Sequence, residues 1–255
     1  MKAVKRVLIT LWGLWGVLVF LITLILVTPV YLGILSFGGQ HSQKRAHQLS
    51  RAWARILFGA FMVRVKVHHA NQLAADEPYI FIANHTSLLD VPAKASATTH
   101  FFKFLAKREL TRVPLLGRIV KQLYVTVDRT NPRARFQSLA SMQATLQTGT
   151  SVAIFPEGSR NRSSDGLMRF HDGAFTLSQQ TGYRLAVLTI VGSGACLPAG
   201  HFFRLKPGTI DCYWEGILDP AAYRADDISA MKTDARNMML RRLKADASYP
   251  EQVPA

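Results

Sequence analysis

Two short blocks of this 255-residue chain bring together side chains that move protons and hold anions. The first is Asn84-His85-Thr86-Ser87-Leu88-Leu89-Asp90. Histidine is the side chain best suited to take a proton near neutral pH, and a base needs an orienting partner. Asp90 can serve, but not along one continuous helix, where positions five apart differ by about 140°. The pairing requires His85 in the turn after a strand and Asp90 in the first turn of a helix, reaching back. On spacing alone Asp90 reads as a helix cap, placed three residues after a Ser87 N-cap or itself capping a helix with Pro92 in its first turn. His85 alone reads as a turn residue bonded to backbone.

The second block is Phe155-Pro156-Glu157-Gly158-Ser159-Arg160-Asn161-Arg162-Ser163. Glycine lets a backbone approach a ligand closely, and arginine offers a planar fork of donors to a phosphate. Glu157 can hold a ligand hydroxyl or fix an arginine; a local ion pair with Arg160 accounts for the same spacing. Between the blocks Lys103, Lys107, Arg108, Arg112, Arg118, Lys121, Arg129, Arg133 and Arg135 face only two acids, Glu109 and Asp128. With a formal charge of +15, the chain calls for anionic partners: phospholipid head groups, nucleic acid or an acidic carrier.

The elements that position these blocks begin with an anchor. No charge occurs from Val7 to Phe37, a run longer than the roughly 20 residues needed to cross the hydrocarbon of a bilayer. A cleaved signal has a shorter apolar region, and the Ser36-Phe37-Gly38-Gly39 exit is a poor cleavage site. Pro29 interrupts a continuous helix, which leaves either a span from about Val7 to Val27 or two shorter helices in a hairpin dipping into one leaflet. Basic residues flank both ends, with Lys2, Lys5 and Arg6 before the run and a heavier group from Lys44 to Lys66 after it. The positive-inside rule then keeps the main domain cytoplasmic, against the inner membrane if the cell is bacterial. Residues 1–40 are expected to form the membrane anchor and residues 41–250 one catalytic domain.

Helical spacing of Ala46, Leu49, Trp53, Ile56 and Leu57 predicts an amphipathic helix over Ser42–Val63. Apolar runs predict strands over Tyr79–Ala83, Val125–Val127, Ser151–Phe155, Leu185–Val191 and Thr209–Trp214. Helices are predicted over Arg133–Gln147 and Ile228–Leu243. The alternation implies an α/β fold, a mixed sheet flanked by helices, with active groups at strand ends. Cys196 and Cys212 read as small core hydrophobes; His68, His69, His100 and His171 lack metal-ligand spacing and read as structural.

Taken together, Asn84-His85-x4-Asp90 and Phe155-Pro156-Glu157-Gly158-Ser159-Arg160 resemble the glycerolipid acyltransferases, in particular the 1-acylglycerol-3-phosphate acyltransferases. Lys107-Arg108-Glu109-Leu110, Pro114, Gly117, Val127-Asp128-Arg129 and Phe170-x-x-Gly173-Ala174 follow in the family's order, so the resemblance covers about Tyr79 to Val191. Two positions depart from the pattern: Leu123 stands where the family usually has glycine, and Thr189 where it has proline.

The resemblance implies a thioester donor, acyl-CoA or acyl-carrier protein, as co-substrate with no cofactor and no metal, and a lysophospholipid acceptor. His85 would be the general base and Asp90 its orienting partner. Arg129 and Arg160 would grip the acceptor phosphate, while Glu157, Gly158 and Ser159 would position the glycerol. Phosphatidic acid is the expected product. The alternatives are another acceptor, a different lysophospholipid or a lyso-ornithine lipid, and a non-catalytic membrane-bound lipid-binding protein of the same fold. Membrane phospholipids are expected partners; nucleic acid is not, because the chain has an anchor and lacks a basic-aromatic recognition stripe.

Overall fold

The computed structural model describes residues 2–127, 132–163, 166–224 and 227–246. Its first element, α1 (Lys2–Ser36), is a single helix that continues through Pro29. Proline removes one backbone donor, a loss a helix survives when its neighbours hold both sides of the break. Here Tyr31, just beyond the break, is buried and its hydroxyl meets Ser50 Oγ at 2.6 Å. The expected interruption at Pro29 is therefore absent. The chain reverses at Gly38 and Gly39, both with positive φ, into α2 (Gly39–Ala60), so the helical hairpin that forms is α1 with α2. One face of α1 packs on the domain; the other exposes a row of large apolar side chains that includes Leu11, Leu14, Leu18 and Ile25. By length and composition α1 can cross a membrane.

The amphipathic helix arrives as α2, with Ala46 and Leu57 buried, but Ile56 points outward and is 61% exposed. It ends three residues short of the expected Val63, which instead opens β1 (Val63–His68). Six further strands follow: β2 (Ile80–Ala83), β3 (Phe102–Lys107), β4 (Tyr124–Val127), β5 (Ser151–Ile154), β6 (Leu185–Val191) and β7 (Gly208–Leu218). They form one sheet in the order β1-β7-β6-β2-β5-β3-β4. The five strands from β6 to β4 are parallel; β7 runs antiparallel to β6, and β1 parallel to β7, so the sheet is mixed as expected.

Every residue of β2, β5 and β6 is buried, as central strands covered on both faces require. Alternate side chains build two cores. Phe81 and Ala83 face the layer containing α2 and the short helix α3 (Asp90–Ser96). Ile80 and Ile82 face α5 (Pro132–Gln147), α6 (Gly173–Thr181) and α8 (Ile228–Ala245). The remaining helices are α4 (Leu116–Leu123), which packs against α1, and the one-turn α7 (Ser193–Cys196). Leu123 and Thr189, the two departures from the family pattern, are both buried core positions, and Cys196 and Cys212 are buried free thiols.

The topology places the site. From β2 the chain leaves through α3 on one face of the sheet toward β3; from β5 it leaves through α6 on the other face toward β6. Connections departing in opposite directions open a crevice beyond the carboxyl ends of adjacent parallel strands, where ligands bind in open α/β sheets. His85 follows β2 and Phe155 follows β5, and these strands are neighbours.

Candidate active site

Asn84 ends β2 by putting its side chain where backbone would otherwise pair. Its Oδ1 accepts from Ile190 N at 2.7 Å and its Nδ2 donates to the Ile190 carbonyl at 2.8 Å. The ladder toward β6 is completed by a side chain, so the main chain can turn away at His85. Asp90 then opens α3 and reaches back, its Oδ2 accepting from His85 Nδ1 at 2.8 Å. The same oxygen accepts from the backbone N–H groups of Thr86 and Ser87, each at 2.7 Å. Three converging donors leave this fully buried carboxylate little freedom. This is the turn-and-helix geometry that the pairing needs; the capping bond to Leu89 N comes from Ser87 Oγ.

Because Nδ1 must donate to the carboxylate, the neutral imidazole keeps its lone pair on Nε2, the atom that can take a proton from a substrate. The ring stacks on Phe155, centroids 4.1 Å apart and planes within 14°. The second block also holds the backbone of His85. Glu157 Oε1 accepts from His85 N at 2.8 Å, and Asn161 N donates to the His85 carbonyl at 2.7 Å. Thus both ends of the histidine's peptide framework are tied to a segment some seventy residues later.

Glu157 was expected to serve a ligand hydroxyl or an arginine. Its two oxygens instead accept from the protein's own backbone, Oε1 from His85 N and Oε2 from Met168 N at 2.9 Å, and the residue is buried. Burial pushes its pKa up to about 7 against the opposing pull of those two amides. Gly158 closes the turn with N donating to the Phe155 carbonyl at 3.0 Å, and its φ of 72° is one that glycine adopts freely. Ser159 is exposed, its hydroxyl near Met168 Sδ at 3.9 Å. Arg160 is half-buried and forms no ion pair among the described residues, so the local pair with Glu157 is absent. Arg129 lies outside the described residues.

Beside the pair, Asn84 and Thr86 form part of the wall of an open cavity of about 620 Å³. Arg162, His201 and Arg204 line it together with the acid Asp246; Arg160 does not. Arg162 belongs to the second block, and its nearest signal was the doubled arginine at positions 160 and 162. His201 and Arg204 carried no such signal, since they stand in the connection to β7, forty residues farther on. The sheet brings them in: the antiparallel return of β7 along β6 leaves that connection next to the end of β2.

Below the pair, one turn along α3 from Asp90, Lys94 is buried and its Nζ has no hydrogen-bond partner among the described residues. It sits among Phe81, Phe102 and Trp214, at 5.0, 5.9 and 5.9 Å from their ring centroids. Burial holds its pKa well below the ordinary lysine value. Nothing in the local sequence around Lys94 signals this burial. Of the histidines read as structural, His68 pairs with Asp211 at 2.8 Å and His100 binds the Ala74 carbonyl at 2.8 Å.

A parallel-centred α/β sheet thus holds a half-buried histidine on a fully buried aspartate at a strand end, beside a crevice. Residues 64–192, about half of the chain, match the acyltransferase family, and the chain belongs to that family. A chloroplastic 1-acyl-sn-glycerol-3-phosphate acyltransferase of Arabidopsis thaliana is 30% identical over 194 residues, 75% of this chain and 52% of that protein. The corresponding Chlamydomonas reinhardtii protein is 24% identical over 218 residues, 85% of this chain and 64% of its own length. The chain thus spans about half to two thirds of these curated relatives. The crystal structure of the 1-acyl-sn-glycerophosphate (LPA) acyltransferase of Thermotoga maritima superposes with a TM-score of 0.79 at 21% identity, covering 97% of this chain and all of the other; it shares the fold.

Proposed function

We propose that the protein is an O-acyltransferase that moves a fatty acyl group from acyl-CoA or acyl-carrier protein to the free hydroxyl of 1-acylglycerol-3-phosphate, yielding phosphatidic acid. The observation that carries this reading is the 2.8 Å contact between His85 Nδ1 and the buried Asp90 carboxylate, which leaves Nε2 free to act as base. His85 Nε2 takes the acceptor's hydroxyl proton as the oxygen attacks the thioester carbonyl. Asp90 stabilises the imidazolium that forms. Collapse of the tetrahedral adduct breaks the C–S bond, and the thiolate leaves with the proton returned by His85. No acyl-enzyme is required, and the donor enters as co-substrate without a cofactor. Holding two substrates in attack geometry adds up to about 7–11 kcal/mol in well-oriented cases.

Arg162, His201 and Arg204 around the neighbouring cavity fit an acceptor phosphate, and Arg160 and Arg129 are retained as further candidates for it. Glu157 acts through His85 by fixing its backbone, while Gly158 and Ser159 form the adjoining turn on the acceptor side. Residues 1–40 anchor the enzyme, with residues 41–250 as its acyltransferase domain on the cytoplasmic side. Lysophosphatidic acid is held in the bilayer, so an anchored basic protein works where its anionic acceptor concentrates.

The test is full-length protein in detergent with a labelled acyl donor and a panel of lysolipids. Phosphatidic acid formation by the wild type and its loss in His85→Ala are expected. Undiminished transfer by His85→Ala would sink the mechanism. Preference for a phosphate-free lysolipid would move the acceptor to the ornithine type, and absence of any transfer would leave a lipid-binding protein.

A further inference from the structure

The connection between α7 and β7 has two faces that do different things. Its base is firmly held: Lys206 N donates to the Cys196 carbonyl at 2.8 Å, and Leu205 is buried. Its middle is built of two turns, with His201 N donating to the Pro198 carbonyl at 3.1 Å and Arg204 N to the His201 carbonyl at 3.0 Å. The tip between them is Phe202-Phe203, 55% and 50% exposed. Two adjacent exposed phenylalanines are a large apolar surface for a loop whose neighbours His201, Arg204 and Lys206 are polar and cationic.

Where the tip stands relative to α1 explains that surface. The Phe203 backbone sits against Gly13, so closely that a Cβ there would collide with the Phe203 carbonyl, and the Leu205 side chain occupies the corresponding space at Gly16. Both glycines fall inside the charge-free run from Val7 to Phe37. Gly13 is six residues past Val7, about 9 Å along the axis at 1.5 Å per residue. Around it Leu11, Leu14 and Trp15 are exposed and continue the apolar surface of the tip. A loop seated at that level of α1 cannot remain in water while α1 lies in lipid.

The opposite side of the same loop lines the cavity beside Asn84 and Thr86, through Pro198, Gly200, His201 and Arg204. One short segment therefore joins the apolar outside to the cationic inside. We propose that residues 198–206 form a membrane-seated portal: Phe202 and Phe203 lie in the interface between head groups and acyl chains, and a single-chain anionic lipid passes beneath them into the cavity, its phosphate met by His201 and Arg204. Aromatic rings suit that boundary layer, and the flanking cations match an anionic surface. This rests on the reading of the site as a lipid-acceptor site and adds the route by which the acceptor arrives.

Two measurements test it. Cys196 and Cys212 are buried, so in a Phe202→Cys variant the new thiol can be labelled selectively with an environment-sensitive dye. With the full chain reconstituted in phosphatidylcholine–phosphatidylglycerol vesicles, the dye should be quenched by nitroxides on the lipid chains and shielded from aqueous iodide. Iodide quenching equal to that of free dye overturns the portal. This measurement needs no activity, so it decides the loop's position even if the acyltransferase reading fails. The second measurement compares a long-chain lysophosphatidate carried in vesicles with a short-chain one dissolved in water. A Phe202→Ser/Phe203→Ser variant should lose roughly tenfold or more in kcat/KM for the vesicle-borne acceptor and stay within about twofold of wild type for the soluble one. Equal losses for both acceptors, or none for either, overturn the proposal.

Discussion

The two walls around His85 are built on opposite principles. On the β2–β5 side, one Asp90 oxygen collects three donors, Glu157 and Asn161 hold the histidine's backbone, and Phe155 covers its ring. On the cavity side, Arg162, His201 and Arg204 are exposed on loops. Under the proposed function the difference matches the work each wall would do. Proton transfer tolerates little misplacement, which calls for a base fixed by many short bonds. A phosphate is reached by long-range attraction and released with the product, so solvated cations suffice. A change on the fixed wall should lower turnover, and one on the cationic wall should weaken binding.

The largest break is at the pair itself. His85→Ala should cost roughly 100- to 10,000-fold in kcat, the usual contribution of a positioned general base, with acceptor KM little changed. Asp90→Asn should fall in the same range: an amide oxygen in the place of Oδ2 can still accept the three donors, but it carries no charge to stabilise the imidazolium. Steady-state kinetics on both variants checks this; a loss confined to KM would put the pair on the binding side.

Next in size is Glu157→Gln. The amide can offer an oxygen to only one of the His85 and Met168 N–H groups, so kcat should fall about 10- to 100-fold through misplacement of His85. Stability gives a second readout. A buried carboxyl with its pKa raised to about 7 is best tolerated when protonated. Its contribution is therefore full below the ordinary glutamate pKa and is lost as pH rises toward 7. Denaturation midpoints over that window should slope less in Glu157→Gln than in wild type.

On the cationic wall, Arg162→Ala and Arg204→Ala should each raise the acceptor KM several-fold to about tenfold with kcat nearly intact, and rising salt should shrink the difference. A kcat effect as large as that of Glu157→Gln would erase the contrast between the walls.

The smallest functional effect should come from Lys94→Met. Burial depresses the lysine's folded pKa, so the unfolded chain binds the proton more readily, and the cost grows as pH falls below the ordinary lysine pKa. The variant should melt higher at pH 7, by about 2–4 °C for each kcal/mol regained, and the gain should shrink as pH approaches 10. Equal melting temperatures across that range would show that the aromatic surroundings of Lys94 already compensate its burial.

Much of the sheet was legible in the chain. The all-apolar runs of β2, β5 and β6 announced themselves because central parallel strands are buried on both faces. β1 and β3 were missed although Val-Arg-Val-Lys-Val-His and Phe-Lys-Phe-Leu-Ala-Lys alternate with period two. Their lysines and arginines also fit the anchor's basic flank and an anion-facing surface, which masks the alternation. Pro29 misled in the other direction, because a helix supported beyond the break by Tyr31 and α2 tolerates a missing donor.

By itself, the sequence determined which residue types could do the chemistry and that two strand ends would carry them: histidine with aspartate after one, glutamate, glycine and arginine after the other. It also determined an apolar run suited to lipid, since composition alone sets that. Only the tertiary structure decided that β2 and β5 lie side by side, so that Glu157 braces His85. It alone placed His201 and Arg204 beside Asn84 and set Phe203 on Gly13. These are contacts between residues far apart along the chain, made by strand order and return direction, and local spacing holds no record of them.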